Sequence, residues 1–331
     1  MSNRGRDWRP CTGQGVPPWV VPIVLPTPYP IGPVTVYLLV GEPLTLVDTG
    51  PATGEAWRAL KRALAERSLK PGDVRRVLLT HAHHDHFGLA RRFVRLGATI
   101  AAHPHERKNL RLGRSYGLLW RQLGLAGLPV ARRMALVASL RMLDRTARSV
   151  RVFEPVEDGQ VIPHEAGPIR VHHMPGHTPG HIGFELGSED TIITGDTVLD
   201  GVVPNAVIDA DPERPDRPFQ SLAAYAATLR RLETMRPRML LPAHGPCIAD
   251  VAGQAAALRE RQARRSADVR AALEGGPASV AEVIARIFPR VTLLRVFLAF
   301  SEVFGHLLEL ERLGAVERVS ERRRERWRLI R

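Results

Sequence analysis

The sequence predicts an α/β protein of layered architecture, with a helical insertion and a C-terminal module of helices and a β-wing. Three observations predict it. Between residues 34 and 102, short apolar β-branched runs alternate with amphipathic helical patterns, the order of a sheet covered by helices. Residues 104–149 interrupt that alternation with Arg, Leu, Gly and Ala at helical spacing and few strand formers. From about Ala249 the chain turns Ala- and Arg-rich, and Gly275-Gly276-Pro277 marks a break inside that region.

Residues 1–20 read as a flexible N-terminal segment. Pro17, Pro18, Pro22, Pro26, Pro28 and Pro30 continue it as an extended lead-in, because proline fixes φ and removes a donor. Val34–Leu39 and Leu44–Val47 are strands joined by Gly41-Glu42-Pro43 into a hairpin. Thr53 caps a helix to about Arg67, with Trp57, Leu60 and Leu64 on one face. Val74–Leu79 is a strand, Gly88–Leu96 a helix and Ala98–Ala102 a strand.

The insertion predicts two or three helices with breaks near Gly124 and Pro129. Leu118, Leu119, Trp120 and Leu123 make it amphipathic, and a cap over the site is its expected role. Strand patterns return at Ser149–Phe153, Ile169–Met174, Ile182–Leu186 and Thr191–Thr194. A helix follows from Pro218 to about Glu233, then a strand at Met239–Leu241. Thus residues 21–250 read as one domain and 251–331 as a second. The second holds a long helix to Leu273, a helix at Ser279–Ile287, an apolar stretch at Leu293–Phe300 and a helix at Ser301–Leu313. Two strand-like pieces at Ala315–Val319 and Arg326–Ile330 complete a winged-helix pattern.

The 331 residues suffice for a substantial core, and a hydrophobic content of 44% marks a folded chain. No run reaches the roughly 18 apolar residues of a membrane span, and Met1–Arg9 does not read as a secretory leader. Net charge is +13. Lysine occurs only at Lys61, Lys70 and Lys108, so arginine supplies nearly all of the basic charge. That bias fits GC-rich coding as well as it fits a polyanion partner. Two cysteines, Cys11 and Cys247, are too few for a disulfide framework and suggest a reducing, cytoplasmic setting. Cys247 reads as a small buried apolar residue.

Function is carried by four pieces, each at the end of an expected strand. They are His81-x-His83-x-Asp85-His86, then His177 in Gly176-His177-Thr178-Pro179-Gly180-His181. Asp196 in Thr194-Gly195-Asp196-Thr197 and His244 in Pro242-Ala243-His244-Gly245 complete the set. Loops at strand ends can aim side chains into a common cleft. Imidazole and carboxylate without cysteine suit zinc, iron or manganese and argue against a closed structural zinc site. His181 suggests either a substrate contact or a brace for its loop. His84 fills a variable position and reads as a non-ligand. His103 and His105 follow a strand and read as site residues or as a helix start; His172 and His173 read as core or surface. Asp48, in Val47-Asp48-Thr49-Gly50, is expected to brace the histidine loop.

These motifs resemble those of the metallo-β-lactamase superfamily across residues 30–250. The resemblance implies a four-layer αββα sandwich and a pair of divalent metals, zinc first, with iron or manganese as alternatives. It implies that His81, His83 and His177 hold one metal, that Asp85, His86 and His244 hold the other, and that Asp196 bridges them. It gives Asp85 a catalytic role in orienting the attacking hydroxide. Aspartate at 196, where β-lactamases often carry cysteine, resembles hydroxyacylglutathione hydrolase (glyoxalase II) and the ribonuclease-like branch. The tail, through Ala278–Ile284 and Gly305–Val316, is similar to the winged-helix appendage of the β-lactamase-like protein 2 group. That group includes endoribonucleases of single-stranded RNA and has a shorter segment where residues 104–149 stand here.

The expected function is metal-dependent hydrolysis of a small ester or thioester. The alternatives are an endoribonuclease or phosphodiesterase, and a winged-helix nucleic-acid-binding regulator. The expected partners are a small-molecule substrate, with nucleic acid and a second copy of the chain as alternatives, and no membrane.

Overall fold

The computed structural model describes residues 11, 15–113, 116–187, 189–201, 209–290, 293–321 and 324–330. In chain order the first strands are β1 (Val20–Leu25), β2 (Val34–Leu39) and β3 (Thr45–Val47), followed by helix α1 (Gly54–Ala65). Next come β4 (Arg76–Leu78), α2 (His84–Phe87), α3 (Ala90–Arg95) and β5 (Thr99–Ala102). The insertion holds α4 (Arg107–Leu110), α5 (Tyr116–Leu125) and α6 (Val130–Leu143). Strands β6 (Glu154–Pro155), β7 (Val161–Ile162), β8 (Ile169–His173), β9 (Ile182–Leu186) and β10 (Thr191–Gly195) precede α7 (Ser221–Met235) and β11 (Met239–Pro242). The tail holds α8 (Val251–Ala271), α9 (Val280–Ile287), α10 (Leu293–Arg312), β12 (Val316–Glu321) and β13 (Arg324–Leu329).

Two sheets face each other. One runs β1-β2-β3-β4-β5-β6, antiparallel through β3 and parallel from there on; the other runs β11-β10-β9-β8-β7, with only β10 and β11 parallel. Strand β2 shows why they stack. Successive side chains point to opposite faces, and all six of its residues are buried. Val36 and Leu38 pack outward with Leu60 and Leu64 of α1 and Phe93 of α3. Tyr37 and Leu39 pack inward with Val171, Phe184 and Leu241 of the second sheet. That sheet buries its far face, through Ile192 and Leu240, under Tyr225, Leu229 and Leu232 of α7 and Val251 and Leu258 of α8. The result is the expected four-layer αββα sandwich. Each fully buried Leu or Phe contributes about 1.5–3 kcal/mol.

Local signals start the helices where expected. Thr53 accepts the Ala56 N–H at 3.1 Å as the N-cap of α1. Ser279 and Glu282 form a reciprocal capping box on α9.

Several expectations are corrected. The proline-rich lead-in contains strand β1, paired with β2 as Pro22 stands opposite Tyr37. Proline is tolerated there because β1 is a sheet edge. Cys11, Val16, Trp19 and Val20 pack into the core between the sheets, so this part of residues 1–20 is anchored rather than flexible; residues 1–10 and 12–14 lie outside the described residues. Cys11 and Cys247 form a disulfide, with Cα atoms 4.5 Å apart across a sequence separation of 236. Counting cysteines tests for a framework, not for one long-range bridge, and the bridge removes the argument from unpaired thiols to a reducing compartment. The expected strand at 149–153 is coil. Val150 N–H binds the Leu110 carbonyl, and pairing begins only at Glu154, opposite Ala101.

The apolar stretch at 293–300 and the helix after it are one continuous helix, α10. Its apolar residues need no break, because Val296, Phe300, Phe304 and Leu307 sit in a core shared with α5, α6 and α9. Leu119, Leu123, Leu136 and Leu140 of the insertion belong to that same core. The insertion is therefore docked on the C-terminal helices. Strands β12 and β13 pair antiparallel, Val316 opposite Leu329, and Trp327 closes the core beneath them. Among the described residues no helix is long and apolar enough to cross a membrane.

Candidate metal centre

The four motifs converge at one end of the sandwich. Strand β4 leads into the loop carrying His81 and His83 and the short helix α2 carrying Asp85 and His86. The chain after β8 carries His177, β10 ends at Asp196, and β11 leads to His244. The turn at Asp196 depends on Gly195, whose φ is +52°. A Cβ there would stand 2.7 Å from Thr80 Oγ1, so only glycine lets β10 approach the histidine loop.

Ligand-type atoms of His81, His83, His177 and Asp196 lie within 4.8 Å of one another, and so do those of Asp85, His86 and His244. Asp196 faces both groups. Its Oδ2 is 3.5 Å from His177 Nε2, while its Oδ1 is 3.5 Å from His86 Nε2 and 3.6 Å from His244 Nε2. Asp85 Oδ2 is 3.6 Å from His244 Nε2, and Oδ1 is 3.8 Å from His86 Nε2. These spacings are too long for hydrogen bonds. They match the edge of a tetrahedron whose ligands stand about 2.1 Å from its centre, roughly 3.4 Å.

The donor set fits a divalent metal. Nε2 of His81, His86 and His244 and Oδ1 of Asp196 are buried and make no hydrogen bond among the described residues. A buried orphaned nitrogen is costly unless something else occupies its lone pair. The opposite ring nitrogens are held. His81 Nδ1 meets Thr80 Oγ1 at 3.1 Å, His86 Nδ1 meets Asp48 Oδ2 at 2.8 Å and His244 Nδ1 meets the Pro33 carbonyl at 2.7 Å. This is the usual manner in which ligand imidazoles are oriented from behind.

Electrostatics divides the cluster. Burial pushes His81 and His83 well below the ordinary histidine range, with neighbouring histidines adding to the effect. Burial acts on His86 and His244 in the same direction, but Asp196 and other carboxylates outweigh it and raise both. Burial alone would raise Asp85; His86 and His244 outweigh it and bring the carboxyl down to about 2. Asp196 is held well below the usual carboxylate range in the same way.

The structure also places the remaining candidates. Asp48 reaches the histidine loop: it accepts Thr80 N–H at 2.9 Å and Thr80 Oγ–H at 2.8 Å besides contacting His86. His181 is fully buried, accepts the Asp196 N–H at Nε2 and meets Thr197 Oγ1 at Nδ1. Both ring nitrogens thus steady the Asp196 turn. His84 turns away from the cluster, its Nδ1 2.9 Å from the Leu143 carbonyl at the end of α6. His172 pairs with Glu185 at 2.7 Å. His103, His105 and His173 form a separate group.

Glu106 was not legible as a site residue. Its carboxylate is buried and accepts Ala82 N–H at 3.1 Å, Gly180 N–H at 3.0 Å and Thr178 Oγ–H at 2.5 Å. It therefore ties the loop of His81 and His83 to the loop of His177. Burial raises it to about 7. In sequence it is only an acid at a helix start, where acids are common for dipole reasons.

An αββα sandwich with histidine and aspartate loops gathered at one end of its sheets defines a class of metal-dependent hydrolases. The chain belongs to the metallo-beta-lactamase superfamily, whose family pattern matches residues 29–244. It is 31% identical over 309 residues to a Bacillus subtilis (strain 168) protein named probable metallo-hydrolase YqjP, covering 90% of this chain and 93% of that one. An atrochrysone carboxyl ACP thioesterase of Aspergillus terreus (strain NIH 2624 / FGSC A1156) is 27% identical over 229 residues; the match covers 69% of this chain and 54% of that protein. Among solved structures, a metallo-beta-lactamase family protein from Thermus thermophilus superposes with a TM-score of 0.83 at 30% identity, over 95% of this chain and 99% of that one. The protein is thus a metal-dependent hydrolase.

Proposed function

We propose that the chain is a dinuclear metal-dependent hydrolase of small esters or thioesters. One observation carries the dinuclear reading. The two oxygens of Asp196 face different ligand groups, His177 on one side and His86 with His244 on the other. His81, His83 and His177 would hold one metal, Asp85, His86 and His244 the other, and Asp196 both. When bound, two divalent ions, zinc first, supply Lewis acidity and lower the pKa of a shared water toward 7.

The chain's own residues do the rest. Asp85, whose carboxylate stands beside both His86 and His244, would orient the attacking water. Asp48 holds His86 from behind, and His181 holds the backbone of Asp196. Glu106 keeps the two histidine loops in register.

The thioester reading is supported by the thioesterase relative, and the charges of the tail bear against the nucleic-acid alternative. Glu302 pairs with Arg265, Glu309 with Arg312 and Glu311 with Arg318, so these arginines already have partners within the tail. Arg322 and Arg323 of the expected wing lie outside the described residues.

The test is turnover of aryl-ester and acyl-thioester substrates by metal-replete protein. Activity should vanish on chelation and in His81→Ala. Cleavage of single-stranded RNA that is lost in Asp196→Ala, with esters and thioesters untouched, would replace this reading by the nuclease one.

A further inference from the structure

The geometry points to a third metal site, built from His103, His105 and His173, that takes a divalent transition ion such as Zn2+ and staples the two sheets together. One ring nitrogen from each residue lies within 4.8 Å of the others. The His103 and His173 rings stack at 4.3 Å between centroids, and His105 meets His103 edge-on at 4.7 Å. His103 and His105 follow β5 of the first sheet, and His173 ends β8 of the second. No residue of this group belongs to the metal centre described above.

Two features prepare the group for a cation. His173 Nε2 is 2.9 Å from the Pro179 carbonyl, which can only accept, so Nε2 carries the proton and Nδ1 the lone pair. A ligand histidine held from behind by a carbonyl is the common arrangement. Burial and the neighbouring rings keep His103 neutral down to about pH 3, and burial also lowers His173, so neither ring is charged near neutral pH.

The remaining contacts define what binding changes. The His105 backbone N–H donates to His103 Nδ1 at a long 3.2 Å. Binding a cation through His103 Nε2 moves the ring proton to Nδ1 and gives up that single bond. Asp158 accepts the His173 backbone N–H at 2.8 Å and pairs with Arg231 Nη1 at 2.8 Å, and Arg231 also donates to the His173 carbonyl, so an ion pair fixes the backbone of His173. His105 is exposed and gives the ion a way in from solvent. Three imidazoles suit Zn2+, with water at the fourth position.

Such an ion would be linked to the metal centre through protein. His173 reaches the His177 loop through Pro179, and Glu106, next to His105, reaches the same loop through Thr178 and Gly180.

The test counts metal on the full-length protein. Wild type, His105→Ala and His81→Ala are dialysed against buffered Zn2+, and zinc per chain is measured by mass spectrometry. Zn2+-dependent melting is followed in parallel. Wild type should hold one more zinc than His105→Ala, with affinity at this site falling about tenfold or more on loss of the ligand. His81→Ala should keep this ion while losing metal elsewhere. Identical zinc content and identical Zn2+ melting curves for wild type and His105→Ala would overturn the assignment.

Discussion

Asp48 Oδ2 stands 2.8 Å from His86 Nδ1, and both residues are buried. A carboxylate behind a ligand imidazole fixes its tautomer, orients Nε2 toward the cluster and raises its basicity. Asp48 does this from a left-handed backbone conformation, φ +59°, which asparagine also tolerates. Asp48→Asn should therefore keep the turn but present an N–H or a weaker acceptor to His86. Metal affinity and kcat should fall about 10- to 100-fold, measured by competition with a chromophoric chelator and by steady-state rates.

Glu106 offers a second test. Glu106→Ala leaves the Ala82 and Gly180 N–H groups and the Thr178 hydroxyl without their acceptor. An orphaned buried donor costs about 1–3 kcal/mol. The variant should lose several kcal/mol in denaturant unfolding and bind metal more weakly. Glu106→Gln, which keeps one acceptor oxygen, should recover part of both.

The disulfide predicts a chemical count. Unreduced, denatured protein should titrate no free thiols, and reduced protein two, because Cys11 and Cys247 are bonded to each other. Cys11→Ser should lower stability by roughly 2–5 kcal/mol, since the bridge closes a long loop of the unfolded chain.

His306 predicts how stability varies with pH. It is buried at the junction of α8 and α10, 2.9 Å from Ser266 Oγ, and burial with help from Arg265 lowers it to about 4. Between its unfolded value of about 6.5 and its folded value the unfolded chain binds more protons. Its contribution is thus complete above pH 6.5 and is lost as pH falls toward 4, by about 3 kcal/mol. His306→Gln should lose less stability than wild type between pH 7.5 and 4.5 in urea unfolding.

Leu123 tests the docking of the insertion. It is fully buried in the core shared with Phe300 and Trp327. Leu123→Ala should cost about 2–5 kcal/mol, and hydrogen exchange should accelerate in α10 as well as in α5.

Much of the molecule was legible because its signals are local. A strand needs only alternation, and a capped helix only a side chain three residues away, so β2, β3, α1 and α9 stand where their residues place them. The seven candidate ligand residues were legible because each belongs to a short motif at the end of an expected strand. Strand β1 was hidden because prolines signal extended chain without saying whether a partner strand is present. The break expected near 300 in α10 came from reading an apolar run without knowing that helices would surround it.

What the sequence alone determined, then, is the αββα class and which histidines and aspartates could meet. Tertiary structure decided how they are held. Glu106 joins Ala82 to Gly180, Cys11 joins Cys247, His103 joins His173, and the insertion joins the tail. Each of these pairs lies far apart in the chain, at separations without period or motif. Only the packing of the two sheets and their helices brings them within reach.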